Sequence, residues 1–329
     1  MSEPVNVVVL IHGITPERDP SPAEQYRPMI EGLRARGVDS VPIGVVWGVP
    51  GAGGQISRPD QRLNDAEHHV SDRVRFENVR ADPSPHNEVM MEPLEQLVER
   101  HGIPLLRGML TTLREQFVQF GLADAVYYAS AEGEHDVRHA VYGRVLGALE
   151  EHADAQDVRL HIVAHSLGVT VAHDFLYGLF APEHEPDFAR GLEAGAEADY
   201  QRRAREHYAS WRARADAGRL TLGTFVSLAS QLPLTLLRKR ELVQRFFDRE
   251  PLDPRVLGVA PDERRTRWAI FYDIDDVLGF ATRRLYREHA AIKDVQIQTG
   301  IEPLGAHLGY WSDEKVLDET ARLIRQNGS

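Results

Sequence analysis

The sequence predicts an α/β protein built on a mostly parallel sheet, and three observations carry that expectation. Short, continuous apolar runs alternate with segments whose apolar residues recur at helical spacing. The first two runs, Val7–Ile11 and Val41–Trp47, enclose one such segment and make a βαβ unit, which implies parallel strands and a right-handed crossover. A later run, Arg159–Ala164, reaches Ser166 and passes with almost no loop into a helical segment at Leu167.

Along the chain, Val7–Val8–Val9–Leu10–Ile11 lacks polar alternation, as a strand buried on both faces should, and it ends in His12–Gly13–Ile14–Thr15–Pro16. Residues 22–36 read as a loop and then a helix with Tyr26, Met29, Ile30 and Leu33 on one face and Gly37 as its stop. Residues 41–47 read as a second buried strand. The polar stretch 48–85 reads as a loop with a short helix near the mouth of a site. His68, His69 and His86 fall in or just beyond it. Adjacent helical residues point about 100° apart and no companion ligand stands at a useful spacing, so these are read as surface histidines.

Residues 91–120 have helical periodicity broken near Gly102 and Pro104, and 124–128 form a short strand or turn. Residues 137–151 are helical, with Val141, Val145, Leu146 and Leu149 inside. The segment 181–219 is dense in Glu, Arg, Ala and Asp and reads as a helical insertion. Strand composition returns at 220–229 and ends in Ser230–Gln231–Leu232–Pro233–Leu234. A second helical insertion, 234–265, opens with an apolar and basic amphipathic helix expected to pack near the site mouth. The strands at 267–272 and 295–298 and the helix at 315–325 complete a single domain over 1–329, with a sheet of about six strands.

With 42% hydrophobic residues in 329, the chain can bury a sizeable core. Its net charge of −12, without a basic tract, argues against nucleic acid and anionic membranes as partners. The absence of cysteine excludes disulfides, a thiolate nucleophile and cysteine-bound metal. The apolar N-terminal run lacks a basic flank and is too short to span a membrane, so a soluble, cytoplasmic chain with no stable membrane insertion is expected.

The chemistry concentrates at Ala164–His165–Ser166–Leu167–Gly168. A chain that turns this sharply from strand to helix crowds the positions two before and two after the tip, and Ala164 and Gly168 are small. Ser166 stands at the amino end of the following helix, where free N–H groups favour developing negative charge. The Leu167 N–H can donate to an oxyanion there. A serine hydroxyl needs a neutral imidazole to take its proton and a carboxylate to hold that imidazole. His161, His165 and His173 flank the turn and are assigned structural roles. Asp273, Asp275 and Asp276 follow the strand at 267–272, and His307 lies between the last strand and the last helix.

The pentapeptide resembles the Gly-x-Ser-x-Gly elbow of the α/β-hydrolase superfamily, in the alanine variant common among its lipases and esterases. His307–Leu308–Gly309–Tyr310–Trp311 resembles the His-x-x-Tyr-Trp loop of esterase-like members, and residues 272–279 resemble their Tyr-Asp-x-x-Asp-x-Leu-Gly turn. The order serine, carboxylate, histidine is that of this superfamily. The resemblance implies a three-layer α/β/α sandwich of the α/β-hydrolase fold, reduced by loss of the early antiparallel strands, with 181–219 as a helical cap. It implies a triad of Ser166, Asp276 and His307, with Asp273 and then Asp275 as alternative acids. The N–H of Ile14, after His12–Gly13, becomes a second oxyanion donor beside Leu167, and Thr15 could add a hydroxyl. The implied activity is hydrolysis of small-molecule carboxylic esters through an acyl-enzyme, with no cofactor and no metal. A non-catalytic binding member of the fold, or the same triad acting as a thioesterase, amidase, acyltransferase or lyase, is compatible with the same residues.

Overall fold

The structure is a computed structural model that describes residues 4–13, 22–45, 131–181, 196–235, 252–260, 265–276, 278–286, 289–300 and 303–328. Its centre is one six-stranded, all-parallel sheet in the order β2-β1-β3-β4-β5-β6. The strands are β1 (Val5–Ile11), β2 (Val41–Val45), β3 (Val158–His165), β4 (Leu220–Leu228), β5 (Trp268–Asp273) and β6 (Ile292–Ile297). The described helices are α1 (Pro22–Ala35), α2 (Ala131–Leu149), α3 (Leu167–Phe180), α4 (Ala196–Asp216), α5 (Leu232–Thr235), α6 (Pro303–Leu308) and α7 (Glu314–Gly328).

The apolar strands lack alternation because both faces of the sheet are covered. In β1, Val7, Val9 and Ile11 join a core that includes Leu146 of α2, Phe175 of α3 and Trp211 of α4. Val8 and Leu10 of the same strand join a second core, with Tyr26 and Met29 of α1 and Val316 and Ile324 of α7. On that second side the guanidinium of Arg36 clasps α1 to α7, donating to Asp318 at 2.6 Å and to Glu314.

β2 and β6 are the sheet edges, which corrects the reading of residues 41–47 as a buried strand. In β2 only Ile43 and Val45 are buried, and Pro42 is exposed. A proline has no N–H to donate, and an edge is where its lack is tolerated. β6 begins three residues before the expected 295–298, because Lys293 and Asp294 interrupt its apolar run at an edge that demands no continuous burial.

The insertion at 181–219 is described only in part, at 181 and from 196 onward. The latter part is helical, as expected, and forms α4, which packs on a face of the sheet. Tyr208 and Trp211 enter the first core, and Tyr208 donates to the Gly178 carbonyl near the far end of α3. Arg214 donates to the carbonyls of Ala153 and Ala155, just before β3 begins. The expected features at 48–85, 91–120, 124–128 and 236–250 lie outside the described residues. Among the described residues no helix is long and apolar enough to cross a membrane.

The chain order reverses at β1. From β1 it moves outward to β2, then returns to β3 on the other side and proceeds to β6. In open parallel sheets the crevice at the carboxyl ends of strands flanking such a reversal is where ligands bind. That point is the meeting of His12–Gly13, after β1, with Ser166, after β3. The fold itself is tested at Leu10, fully buried in the second core: Leu10→Ala should lower unfolding stability by about 2–5 kcal/mol, read from the urea midpoint at unchanged m-value.

Candidate active site

Ser166 joins β3 to α3 as a single residue with φ 56° and ψ −129°. Only Ser166 and Ala229 adopt positive φ among the described non-glycine residues. Such strain persists only where surrounding structure over-determines it. Here the Ser166 amide donates to the Leu228 carbonyl at 2.8 Å, while its carbonyl accepts from the Val169 amide at 3.0 Å. Two glycines permit the packing. A Cβ on Gly168 would stand 2.3 Å from the His12 carbonyl oxygen, and one on Gly13 would stand 2.5 Å from Ser166 Cβ. The end of β1 is therefore pressed directly on the serine turn.

Three residues singled out from the sequence are hydrogen-bonded in a row. Ser166 Oγ is 2.9 Å from His307 Nε2, and His307 Nδ1 is 3.0 Å from both carboxylate oxygens of Asp276. All three side chains are buried. His307 stands on α6, whose carboxyl end runs into a 3-10 turn at Gly309–Ser312. Asp276 Oδ1 also accepts from the Leu278 amide at 2.9 Å, and Oδ2 from the Tyr310 hydroxyl at 3.0 Å. With the carboxylate accepting, Nδ1 of His307 carries its proton and Nε2 is left to receive the serine proton. The arrangement can move a proton from Ser166 to His307 beside a buried negative charge.

The other carboxylates take different places. Asp273 accepts from the amides of Asp275 and Thr299, at 2.9 and 2.6 Å, and from the Thr299 hydroxyl at 3.0 Å. It ties the end of β5 to the segment after β6. Asp275 is buried, and neither Asp273 nor Asp275 is bonded to His307 among the contacts described. The Tyr310 hydroxyl sits between the two sides of this turn, accepting from the Asp273 amide at 2.8 Å and donating to Asp276. Burial, and then the neighbouring Asp276, push the Tyr310 hydroxyl pKa well above its ordinary value, so it stays a donor.

His165 lies against this group. Its Nε2 donates to the His307 backbone carbonyl at 2.7 Å, which anchors the α6 residue that carries the imidazole. His161 bonds Asn6 at 3.1 Å and His173 bonds the Tyr286 hydroxyl at 2.8 Å, both away from Ser166. Leu167 opens α3, so its amide is among the first-turn donors without a helical partner. Ile14 and Thr15 lie outside the described residues, as do His68, His69 and His86. Among the described residues no group of three or more His, Cys, Asp or Glu side chains is placed to hold a metal ion.

One site residue escapes the sequence reading. Gln231 Nε2 donates to Ser166 Oγ at 2.9 Å. The turn at 230–234 is recognisable by its composition, but its side-chain direction is not. The usable signal is position: a polar residue just past a buried strand that neighbours the strand of Ser166.

No protein-family model matches the chain, and no curated protein and no solved structure matches it either.

The buried histidines make stability depend on pH. Burial lowers His12 to about 4, and burial together with His307 lowers His165 to about 3, both from 6.5. Burial, then Arg159 and Arg267, lower His161 to about 3. The unfolded chain binds these protons near 6.5 while the folded chain stays neutral, so this contribution is complete above pH 6.5 and declines as pH falls from there, toward about 4 for His12 and about 3 for His161 and His165. Urea unfolding between pH 7.5 and 5 should show a falling midpoint. His165→Gln, which can still donate to the His307 carbonyl, should remove about one proton from that slope.

Proposed function

We propose that this chain is a serine hydrolase of the α/β-hydrolase superfamily that cleaves carboxylic esters of small molecules. The observation that carries the reading is the directed row Ser166 Oγ, His307 Nε2, His307 Nδ1, Asp276, closed at 2.9 and 3.0 Å at the carboxyl ends of a parallel sheet. The reversal of strand order at β1, which sets His12–Gly13 against Ser166, supports the same assignment. So does the strained backbone of Ser166.

In this reading Ser166 Oγ attacks the ester carbonyl as His307 Nε2 takes its proton. The imidazolium is held by Asp276, which needs no protonation of its own because Leu278 and Tyr310 also donate to it. The oxyanion faces the amide of Leu167, and the resemblance adds that of Ile14. His307 returns the proton to the leaving alcohol. It then activates water, which releases the acid.

The test is labelling by a fluorophosphonate probe together with turnover of an aryl ester. Wild type should label, and Ser166→Ala and His307→Ala should not. Asp276→Asn should keep the fold and lose about 10³–10⁴-fold in kcat, because the imidazole is left in the wrong tautomer. Asp273→Asn should chiefly lower stability. A folded wild type that neither labels nor turns over would move the assignment to a binding protein on this fold.

A further inference from the structure

We propose that Gln231 is a catalytic residue whose carboxamide N–H serves the release of the acyl group from Ser166. The inference rests on the ester-hydrolase reading and adds to it a group at the reacting oxygen.

The bond has a fixed direction. A serine hydroxyl has one proton and two acceptor positions, and an amide nitrogen can only donate. With Gln231 Nε2 at 2.9 Å on one side and His307 Nε2 at 2.9 Å on the other, the serine proton points to His307. Gln231 therefore leaves a donor resting on Oγ, while His307 alone sets the direction of the serine proton.

That donor is held by more structure than a loop glutamine needs. Ala229, two residues before it, has φ 50°, one of the two strained non-glycine residues described, and the other is Ser166 itself. The two lie at the ends of adjacent strands. Ser230 is clamped on both sides: its carbonyl accepts from the Phe280 amide at 3.0 Å, and its hydroxyl from the Thr282 hydroxyl at 3.1 Å. The Gln231 carbonyl accepts from the Thr235 amide at 3.1 Å. Thr235 Oγ1 is in turn 2.6 Å from Thr170 Oγ1, on the helix that Ser166 starts. Gln231 is buried, so its carboxamide does not bond Ser166 by chance contact at a surface.

The chemistry of Oγ decides which step gains. In the free enzyme Oγ is a good acceptor, and the Gln231 bond is already made. After acylation Oγ is an ester oxygen whose lone pair is delocalised into the carbonyl, a poor acceptor, and the bond weakens. In deacylation water attacks the acyl carbon and gives a proton to His307. The C–Oγ bond then breaks, its electron pair goes to Oγ, and His307 returns the proton there. The Gln231 N–H regains its acceptor as that charge develops. Acylation starts from a state that already holds the bond, so it gains little, whereas deacylation gains most of it.

Gln231→Met, similar in length without a donor, and Gln231→Asn, one carbon too short, should each lower kcat for p-nitrophenyl acetate by about ten- to a hundredfold. In the same variants kcat/KM should be essentially unchanged, and stopped flow should show a stoichiometric burst, with the acetyl group found on Ser166 by mass spectrometry. Either variant that folds carries the test. Equal losses in kcat and kcat/KM without a burst, or no change in either, would overturn the role of Gln231 alone. A wild type that neither labels nor turns over would remove the ester-hydrolase reading and this role with it.

Discussion

Between the end of β1 and the first turn of α3 there is room for backbone and for nothing else. Gly168 brings the helix against the His12 carbonyl, and Gly13 brings β1 against Ser166, each at a distance that any Cβ would block. Because β1 and β3 are neighbours along their whole length, this approach is not a local accident of a loop. It lets the strand turn into a helix at one residue, and it holds that residue at φ 56°. The serine is lifted from the sheet only because the backbone under it has no alternative. The pairing of β3 with β4 extends the same constraint sideways, to the turn that aims Gln231.

Around Ser166 the polar groups are arranged so that each proton has one place to go. A buried carboxylate is costly unless its lone pairs are met, and the turn at 273–279 meets two of them in different ways. Asp273 is spent on backbone amides and a threonine hydroxyl, and it fastens the sheet end. Asp276 takes one amide, one phenol and the imidazole. Tyr310 touches both sides, accepting from the Asp273 amide and donating to the Asp276 carboxylate. His165, which contributes no proton to this row, contributes orientation, since its ring anchors the backbone of His307.

The sheet was largely legible in the residues, because strands covered on both faces are predominantly apolar, and β1, β3, β4 and β5 are apolar over more than half of their length. The edges were less so. β2 carries a proline and β6 a lysine and an aspartate, so neither position nor burial follows from pattern alone. The fate of α4 was illegible for another reason: helical composition says that a segment will be a helix, not which surface will receive Tyr208 and Trp211. At the site, Ser166, Asp276 and His307 could be picked out since each stands just past a strand or before the last helix. Gln231 could not, because its part depends on a side-chain direction set by Ser230, Thr282 and Thr235, which no spacing encodes.

The site is also assembled late. Asn6 and His161, joined across β1 and β3, are separated by 155 residues, and Ser166 and His307 by 141. Parallel strands pair only after the intervening chain has closed a long loop, which makes such topologies slow to form. During synthesis the edge of β1 that β3 covers must therefore wait until β3 emerges, and His307 arrives only when α6 has been made. Recovery of the Ser166–His307 hydrogen bond is for that reason a report on the completed sheet rather than on any of its parts, and the interval before it is when the first strand is most exposed to pairing with the wrong neighbour.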